Sequence, residues 1–507
     1  MEPSPVLSRR AAALVGLLSV VSAVTVGHLV AGAVDPDASP VVAVGNAVRD
    51  LSPPSITEFA IGSLGDAKKP LLFGGIALML LAVAAIAGLV SRRRVWPGLA
   101  IAAAVGTAGL VAALTQPTVT GWGALAPIAS LVAGVGVFAW LHRLSQPVQS
   151  SPSRRRFLWT SAGVALGATA LGGGGQLLAA RYDVEGSRAG VGTLVPADPA
   201  PPIPSGADFA SVGTQRFLTS NRDFYRVDTA LVSVPKVRAE DWRLRVHGMV
   251  DREQTYTFAD IRNRPLVERT ITMTCVSNEV GGPYVSTANF IGVPLADILE
   301  EAGVRNGADQ LFSSSVDGWT AGTPVDAVLD RSRGALLAIG MNGEPLPTEH
   351  GFPARLVVPG LYGFVSATKW VVDLELTTFE ARESYWMSRG WGQRAPIKTQ
   401  SRIDTPSGFA TLPAGRVTIA GVAWAQHIGI QTVEVRLDGG RWQRATLATE
   451  VNAQTWRMWR LDVDLEPGTH KAEVRATDRR GQTQQANRVP PIPDGATGWH
   501  STQFTVT

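Results

Sequence analysis

Residues 350–360 read His-Gly-Phe-Pro-Ala-Arg-Leu-Val-Val-Pro-Gly, and Lys369-Trp370 follows shortly after them. Histidine, arginine and lysine around glycine turns suit an anionic, phosphate-bearing cofactor, because arginine binds phosphate with paired hydrogen bonds and glycine lets backbone N–H groups approach. A solvated basic turn would carry the same charges. The apolar interior of the stretch, Leu356 to Val358, disfavours full exposure and so favours the cofactor site.

A second stretch, residues 272–278, reads Thr-Met-Thr-Cys-Val-Ser-Asn and contains the one cysteine of the 507-residue chain. A single cysteine excludes an intrachain disulfide, an iron–sulfur cluster held by several thiolates and a zinc site with several cysteines. Cys275 is then either a small buried hydrophobic residue or a thiolate ligand. A solitary thiolate suits a soft metal whose other ligands come from a cofactor.

Together these stretches resemble the sulfite oxidase family of molybdopterin enzymes, over about residues 211–507. Cys275 is similar to the molybdenum-ligating cysteine of that family, and residues 341–355, MNGEPLPTEHGFPAR, are similar to its signature nearly residue for residue. Residues 421–424 and 433–440 resemble its C-terminal dimerisation domain. The resemblance implies a molybdenum–molybdopterin cofactor (Mo-MPT), with the pterin dithiolene and the Cys275 sulfur as in-plane metal ligands. It also implies oxygen-atom transfer with a two-electron redox change.

The resemblance also assigns roles to individual residues. Arg355 and Lys369 would hold the terminal phosphate, and His350 and Asn221 would hydrogen-bond the pterin ring. Trp319 matches the position of the family's active-site tyrosine, and with Asp317 and Cys275 it makes up the expected catalytic set. The remaining expected cofactor contacts are Phe224, Tyr225, Asn278, Ser366, Ala367 and Thr368.

The residues expected around the substrate depart from the family pattern. Sulfite-oxidising members place arginines at positions that hold Ser220 and Glu279-Val280 in this chain. A pocket without those arginines, and with a carboxylate nearby, is expected to bind sulfite poorly. We therefore expect a small neutral S- or N-oxide as substrate, with sulfite oxidation as the alternative. Arg222 or Arg226 could supply the missing positive charge.

The chain is expected to be multidomain. Residues 211–398 mix short strands with short helices, an α+β pattern without βαβ alternation or a dinucleotide fingerprint. Residues 399–507 have a purely β pattern with Asp-Gly and Pro-Gly turns, which predicts an immunoglobulin-like sandwich that allows a homodimer. Residues 181–210, rich in Pro, Ala, Gly and Asp, are predicted to form a linker.

Residues 1–180 contain uncharged apolar runs, each long enough to cross a hydrocarbon core of about 30 Å as a helix. An all-α bundle of five membrane helices is predicted, at about 11–34, 71–91, 95–115, 121–142 and 157–180. Nine arginines fall in the segments assigned to the inside and three basic residues in those assigned to the outside, so the N-terminus is expected in the cytoplasm. The chain is then a multi-pass cell-membrane protein with an extracytoplasmic catalytic domain.

Residues 153–158, Ser-Arg-Arg-Arg-Phe-Leu, resemble the twin-arginine signal that exports folded, cofactor-loaded domains, although plain positive-inside charge explains them as well. Residues 1–156 carry 12 Lys/Arg and 6 Asp/Glu, a net +6, and the rest of the chain carries 34 and 36, a net −2. The basic charge therefore belongs to the membrane portion, and no nucleic-acid partner is expected.

The expected role of the bundle is to anchor the chain in lipid, or to dock an electron-transfer partner protein or a quinone. His28 and His142 are predicted at opposite ends of the membrane, so no haem is expected in this chain. Two other classes of protein are disfavoured. Cys275, Arg355 and Lys369 argue against a non-catalytic cell-surface binding protein. A transporter with an extracellular sensor would need more ionisable residues in its spans than His28.

Overall fold

A computed structural model describes residues 6–35, 38–52, 68–116, 119, 121–146, 152–179, 183–230 and 234–507. The chain divides into two compact units. The first comprises Met1–Asp183 with Thr229–Lys236, and the second comprises Val184–Asp228 with Val237–Thr507. All of the candidate site residues belong to the second unit.

The first unit is helical. Its helices are α1 Arg9–Val34, α2 Pro40–Leu51, α3 Lys68–Val90, α4 Trp96–Leu114, α5 Leu125–Ser145 and α6 Pro152–Ala179, with a 3-10 turn at Gly121–Ala124.

Four stretches of this unit are long and apolar enough to cross a membrane, and they correspond to the first four predicted spans: Arg9–Val34, Phe73–Val90, Trp96–Leu114 and Gly121–Ser145. The fifth predicted span lies in α6, a continuous helix whose hydropathy is lowered by four consecutive glycines at 172–175. The exact five-helix bundle therefore stays a prediction. The short helix α2, which contains Asn46, Arg49 and Asp50, was not among the predicted elements.

Small residues allow α1 and α3 to pack closely. A Cβ atom added to Gly88 would lie 1.9 Å from the backbone oxygen of Ala12, and one added to Gly16 would lie 1.8 Å from that of Ala84. Gly16 and Gly88 thus lie where the backbones of the two helices meet, and such glycine contacts are common between membrane helices. Elsewhere on α1, His28 is hydrogen-bonded to the side chains of Ser39 and Gln176.

The second unit begins with helix α7, Val184–Val191. From residue 184 onward, the segment predicted as a linker packs against the rest of its unit: Arg188 pairs with Glu344 at 2.8 Å, and Asp198 pairs with Arg269 at 2.6 Å. Its charged side chains therefore have fixed partners. Whether the segment also serves as a tether stays a prediction.

The α+β part of this unit contains ten strands: β1 Arg243–Gly248, β2 Gln254–Thr257, β3 Val267–Thr274, β4 Val285–Pro294, β5 Gln310–Ser315, β6 Thr320–Pro324, β7 Leu336–Met341, β8 Glu344–Pro345, β9 Arg355–Val357 and β10 Val371–Thr377. They form two sheets with strand orders β2-β1-β10-β5-β6 and β3-β4-β7-β8, and β9 pairs with β7. Short helices lie between them: α8 Phe258–Arg262, α9 Leu295–Ala302, α10 Val325–Leu329 and α11 Gly363–Ser366.

Residues 399–507, called the C-terminal β-domain below, contain strands only, with orders β11-β13-β17-β16 and β12-β19-β18-β14-β15. Both sheets contribute to one apolar core that includes Ile419, Val433, Trp459 and Phe504. The all-β prediction agrees with this arrangement, and the immunoglobulin-like assignment stays a prediction. The strands are β11 Gln400–Thr405, β12 Thr411–Leu412, β13 Gly415–Trp424, β14 Ile430–Leu437, β15 Gln443–Arg444, β16 Thr446–Leu447, β17 Arg457–Leu465, β18 Gly468–Asp478 and β19 His500–Val506.

Candidate active site

Cys275 directly follows strand β3 and begins the loop that leads to β4. Its backbone N–H donates to the carbonyl of Tyr284 at 3.0 Å, and its own carbonyl accepts from the N–H of Asn278 at 3.0 Å. The N–H of Tyr284 donates to Oδ1 of Asn278 at 2.8 Å. The loop from Cys275 to Tyr284, called the Cys275 loop below, is thus closed on itself with the partly exposed Cys275 at its start.

Arg355 on β9 is a buried cation, 3% exposed. Its guanidinium donates to the carbonyls of His350 at 3.1 Å and Ala367 at 3.5 Å, and no carboxylate pairs with it within the described part of the chain. Burial lowers the pKa of Arg355 to about 10, so the group remains charged at neutral pH. A buried charge without a counter-ion is costly, and a bound anion would balance it.

Lys369 and Arg226 share one carboxylate, that of Asp228. The distances are 3.1 Å from Lys369 Nζ and 2.8 Å from Arg226 Nε. Burial lowers the pKa of Lys369 to about 8, against the opposing effect of Asp228. Burial alone would raise the pKa of Asp228, but Lys369 and Arg226 outweigh it and bring the value to about 2. Arg355, Lys369, Arg226 and Asp228 are called the basic cluster below. The cluster contains three cations and one carboxylate.

His350 is held as a neutral ring. Its Nε2 faces the backbone oxygen of Asn221 at 3.0 Å and therefore carries the proton. Burial, followed by the positive charges of Lys369 and Arg355, lowers the pKa of His350 to about 3. Nδ1 of the ring is then an acceptor, and it is buried without a hydrogen-bond partner in the described residues.

Asn278 provides a second unsatisfied atom. Its Nδ2 is likewise buried without a partner among the residues that the structure describes. Buried polar groups in folded proteins are rarely left unpaired. The unpaired acceptor on His350 and the unpaired donor on Asn278 are therefore two atoms that a polar ligand could satisfy. These two unpaired atoms offer hydrogen bonds and the basic cluster offers positive charge, which are the two features that a pterin with a phosphate needs.

Aromatic side chains connect the two parts of the site. Phe224 meets the His350 ring edge-on with 5.5 Å between ring centres, and it stacks on Tyr225 at 5.3 Å. Burial raises the pKa of Tyr225, the charge of Cys275 adds to that rise, and Arg355 opposes it. Tyr225 also faces the ring of Tyr284 with 6.4 Å between ring centres, and the carbonyl of Tyr284 accepts from the N–H of Cys275. These aromatic rings therefore link the surroundings of His350 to the Cys275 loop.

Three of the expected cofactor contacts have side chains committed to protein partners. The Asn221 amide donates to Glu344. The Ser366 hydroxyl donates to the carbonyls of Leu361 and Tyr362, and the Thr368 hydroxyl pairs with Ser313. Ala367 contributes only the carbonyl that accepts from Arg355. These residues support the site, and their contact with a cofactor stays a prediction.

Trp319 and Asp317 lie in the turn between β5 and β6. The Trp319 N–H donates to the Asp317 carboxylate at 3.3 Å, and the Trp319 carbonyl accepts from Ser315 at 2.8 Å. The neighbouring Val316 donates to the carbonyl of Trp370, which places the turn beside the Lys369 segment. A catalytic role for the two residues stays a prediction.

The positions expected around the substrate show little free positive charge. The Ser220 hydroxyl donates to Asp223 at 2.6 Å, and Arg222 is 90% exposed and pairs with the same carboxylate. Glu279 is exposed on the Cys275 loop. Arg226 is committed to Asp228, so it belongs to the basic cluster.

Sequence reasoning missed Asp228, Arg402 and His500. Asp228 lies three residues after Tyr225, and a carboxylate so near a predicted cofactor contact was the one available signal. Arg402 and His500 come from the C-terminal β-domain and reach the Cys275 loop more than 100 residues away in sequence. No local motif marks contacts of that range.

Known proteins are similar to the part of the chain that contains most of the candidate site. Residues 231–386 match the oxidoreductase molybdopterin binding domain. Sulfite oxidase of Gallus gallus is 30% identical over 342 residues, covering 57% of this chain and 74% of that protein. Mitochondrial sulfite oxidase of Homo sapiens is 30% identical over 329 residues, covering 55% of this chain and 59% of that protein.

Two further matches are a protein named as an oxidoreductase and the crystal structure of a dehydrogenase. The uncharacterized oxidoreductase YuiH of Bacillus subtilis is 36% identical over 153 residues, covering 30% of this chain and 73% of that protein. The crystal structure of the sulfane dehydrogenase SoxCD from Paracoccus pantotrophus matches with 25% identity and a TM-score of 0.49, covering 56% of this chain and 81% of that one.

The protein is thus a molybdenum-dependent oxidoreductase with a molybdopterin-binding domain. Within that class, the chain belongs to the sulfite oxidase family. The resemblance noted on Cys275 and on residues 341–355 is confirmed at the level of the family, and the Mo-MPT cofactor follows from it.

Proposed function

We propose that this chain is a membrane-anchored, extracytoplasmic enzyme that transfers an oxygen atom between molybdenum and a small neutral S- or N-oxide, with Cys275 as the metal ligand. The observation that carries the proposal is the run of ring contacts from His350 through Phe224 and Tyr225 to Tyr284 in the Cys275 loop. A thiol and a buried anion site then belong to one pocket. A soft metal bound to an anionic cofactor requires that combination.

The residues of the chain have distinct tasks in holding the cofactor. Arg355, Lys369 and Arg226 would bind the terminal phosphate, whose negative charge exceeds what Asp228 alone supplies. Nδ1 of His350 would accept from a pterin N–H, and Nδ2 of Asn278 would donate to a pterin acceptor. Because His350 stays neutral, it adds no charge beside the ring. The bound cofactor supplies the two-electron redox chemistry.

The choice of a neutral substrate is supported by Ser220, Arg222 and Glu279. Ser220 and Arg222 are paired to Asp223, and Glu279 brings a negative charge to the Cys275 loop. Sulfite oxidation is the second candidate, since two of the relatives are named sulfite oxidases and Arg402 donates to the carbonyl of Gly282 in the Cys275 loop. Its guanidinium is paired with Asp404, which reduces the charge it offers to an anion.

Paired assays on the loaded full chain separate the two candidates. One supplies a reduced dye with methionine sulfoxide, and the other supplies sulfite with an oxidised acceptor. We expect turnover of the sulfoxide and little of the sulfite, and the Cys275→Ser variant is the control for both. Sulfite turnover at ordinary efficiency would overturn the substrate proposal and leave the enzyme class in place.

Membrane anchoring is supported by the four apolar helices and by α6, and the side of the membrane follows from counting five crossings. Alkaline phosphatase, which is active only outside the cytoplasm, tests the count when it is fused after residue 146 and after residue 182. We expect an inactive fusion at 146 and an active one at 182. Two inactive fusions would remove both the fifth crossing and the extracytoplasmic assignment, and two active fusions would contradict the fifth crossing alone.

The helical bundle is proposed as an anchor that also docks the electron-transfer partner, which is a protein or a quinone. A homodimer through the C-terminal β-domain is proposed on the family resemblance.

Haem is not expected in this chain. An absorption spectrum of the purified chain with a Soret band would overturn that expectation.

A further inference from the structure

The C-terminal β-domain contacts the strand that leads to Cys275. Strand β3 is the outer strand of its sheet, so among the described residues no other strand pairs along one of its edges beyond a single bridge between Asp198 and Val267. Residues of the C-terminal β-domain occupy that edge: the carbonyl of Gln454 accepts from the N–H of Thr272 at 3.0 Å, and the Asn452 amide donates to the carbonyl of Thr270 at 3.1 Å. The position of the strand thus depends on both domains.

Buried side chains extend the same contact to the end of the strand. The Gln426 amide donates to the carbonyl of Thr272 at 3.3 Å and to the hydroxyl of Thr274 at 3.1 Å. The N–H of Trp456 donates to the Thr272 hydroxyl at 2.8 Å. Thr274 is the last residue before Cys275, so these bonds fix the strand up to the residue before the thiol.

Two further residues hold the other end of the Cys275 loop. The guanidinium of Arg402, on β11, donates to the carbonyl of Gly282 at 2.9 Å and pairs with Asp404 at 2.7 Å. The Arg402 side chain is only 10% exposed, so its bond to the loop is shielded from water and correspondingly strong.

His500, at the start of β19, lies against Gly281. A Cβ on Gly281 would come within 2.3 Å of Nε2 of His500, and Gly281 has φ +82°. Nδ1 of His500 accepts from the N–H of Ile403 at 3.0 Å, which fixes the orientation of the ring. Burial, with the charges of Arg488 and Arg402, lowers the pKa of His500 to about 4, so the ring is neutral at ordinary pH.

We propose that the C-terminal β-domain is a working part of the active site, because Arg402 and His500 are positioning residues that hold the Cys275 loop and thereby the thiol. The inference rests on the proposed role of Cys275 as the metal ligand. It gives the domain a task inside one chain, separate from the dimer contact expected of it.

The single cysteine makes the proposal directly measurable. In the cofactor-free full chain, the rate of alkylation by iodoacetamide reports on Cys275 alone. We expect Arg402→Gln to speed alkylation by about tenfold, because a buried charged hydrogen bond to the loop is lost and local opening becomes easier. Arg402→Lys keeps a donor and is expected to restore most of the protection. Arg416→Gln, which removes an exposed arginine of the same domain, is the matched control and should leave the rate unchanged.

A second variant tests the contact without removing a charge. His500→Ala removes the ring that lies against Gly281 and is also expected to speed alkylation. Circular dichroism checks that each variant is folded. Wild-type alkylation rates in folded Arg402→Gln and His500→Ala would overturn the proposal, and so would an equal acceleration in Arg416→Gln. Because the cofactor-free chain is used, the result is independent of whether the loaded enzyme contains molybdenum.

Discussion

Arg355 is the residue whose surroundings depend most on a ligand. Its buried guanidinium is held by carbonyl groups alone among the described residues, so its charge lowers stability until an anion binds. We expect Arg355→Met to lose most of the bound molybdenum, about tenfold or more, since a charged hydrogen bond to phosphate is removed. The melting temperature of the cofactor-free chain should not fall. Metal analysis measures the molybdenum content, and thermal unfolding of the cofactor-free chain measures the melting temperature. An Arg355→Met variant that keeps its molybdenum would contradict the role of Arg355 in binding the phosphate.

His350 predicts a dependence of stability on pH. The pKa is about 3 in the folded chain and about 6.5 in an unfolded one, so the unfolded state takes up a proton first as the pH falls. The stability that the neutral ring contributes is complete above about pH 6.5 and is lost progressively toward pH 3. Between pH 7 and pH 5 the loss is about 2 kcal/mol.

His350→Gln, which cannot titrate, isolates this contribution. Urea unfolding of the cofactor-free chain at pH 7 and pH 5 should show a loss of unfolding free energy that is smaller by about 2 kcal/mol in the variant. His500 titrates in the same direction in both proteins and therefore cancels. Equal losses in wild type and variant would mean that His350 is not held neutral.

Site residues that lie together in a motif were predictable, and those brought together by the fold were not. Cys275, His350, Arg355 and Lys369 belong to two short stretches whose residue types already indicate a metal and an anion. Asp228 had no such pattern, because its partners Arg226 and Lys369 meet it only after the chain folds. Buried ion pairs between distant segments leave no periodic mark on a sequence.

At the scale of elements, β3 is the strand on which the site depends most. Thr272→Val keeps the shape of the side chain but removes the hydroxyl that accepts from the buried N–H of Trp456. We expect a loss of about 1–3 kcal/mol of unfolding free energy, because that N–H is left without an acceptor. Thr477→Val, at an exposed hydroxyl pair with Thr483, is the control and should cost little. Equal unfolding curves for the two variants would rule out the contact across the edge of β3.

The pair α1 and α3 offers a test in the helical unit. A valine at Gly88 would push against the backbone of Ala12, whereas Gly74 has open space around it. We expect Gly88→Val to lower the stability of the detergent-solubilised chain by about 1–3 kcal/mol or more, and Gly74→Val to be tolerated. Equal melting temperatures of the two variants would contradict the packing of these helices.

Helices and strands could be predicted from the sequence where an apolar run was long or where one pattern extended over a whole segment. The apolar runs of α1, α3, α4 and α5 and the all-β pattern of residues 399–507 were evident from the sequence. Helix α2 was missed because its 12 residues include polar and charged side chains, too short and too mixed for a membrane span. The segment 184–210 has the composition of a linker, yet its charged residues find partners on the sheet.

At the scale of the whole molecule, a unit of long apolar helices and a molybdopterin-binding unit lie on one chain, and the second contains all of the candidate site residues. The α+β part supplies the thiol and the basic cluster, and the C-terminal β-domain contacts the Cys275 loop. The family fixes the class of chemistry. Ser220 and Glu279 are the residues at which this chain departs from the family pattern near the expected substrate position, so the substrate assays matter most for its particular activity.

The central claim is that Cys275 holds molybdenum, and metal analysis of the purified full chain tests it most directly. We predict about one molybdenum per wild-type chain, and a Cys275→Ser variant that loses both the metal–sulfur absorption and the activity in the oxide assay. A wild-type chain without molybdenum, or a Cys275→Ser chain that retains the metal and full activity, would contradict the claim.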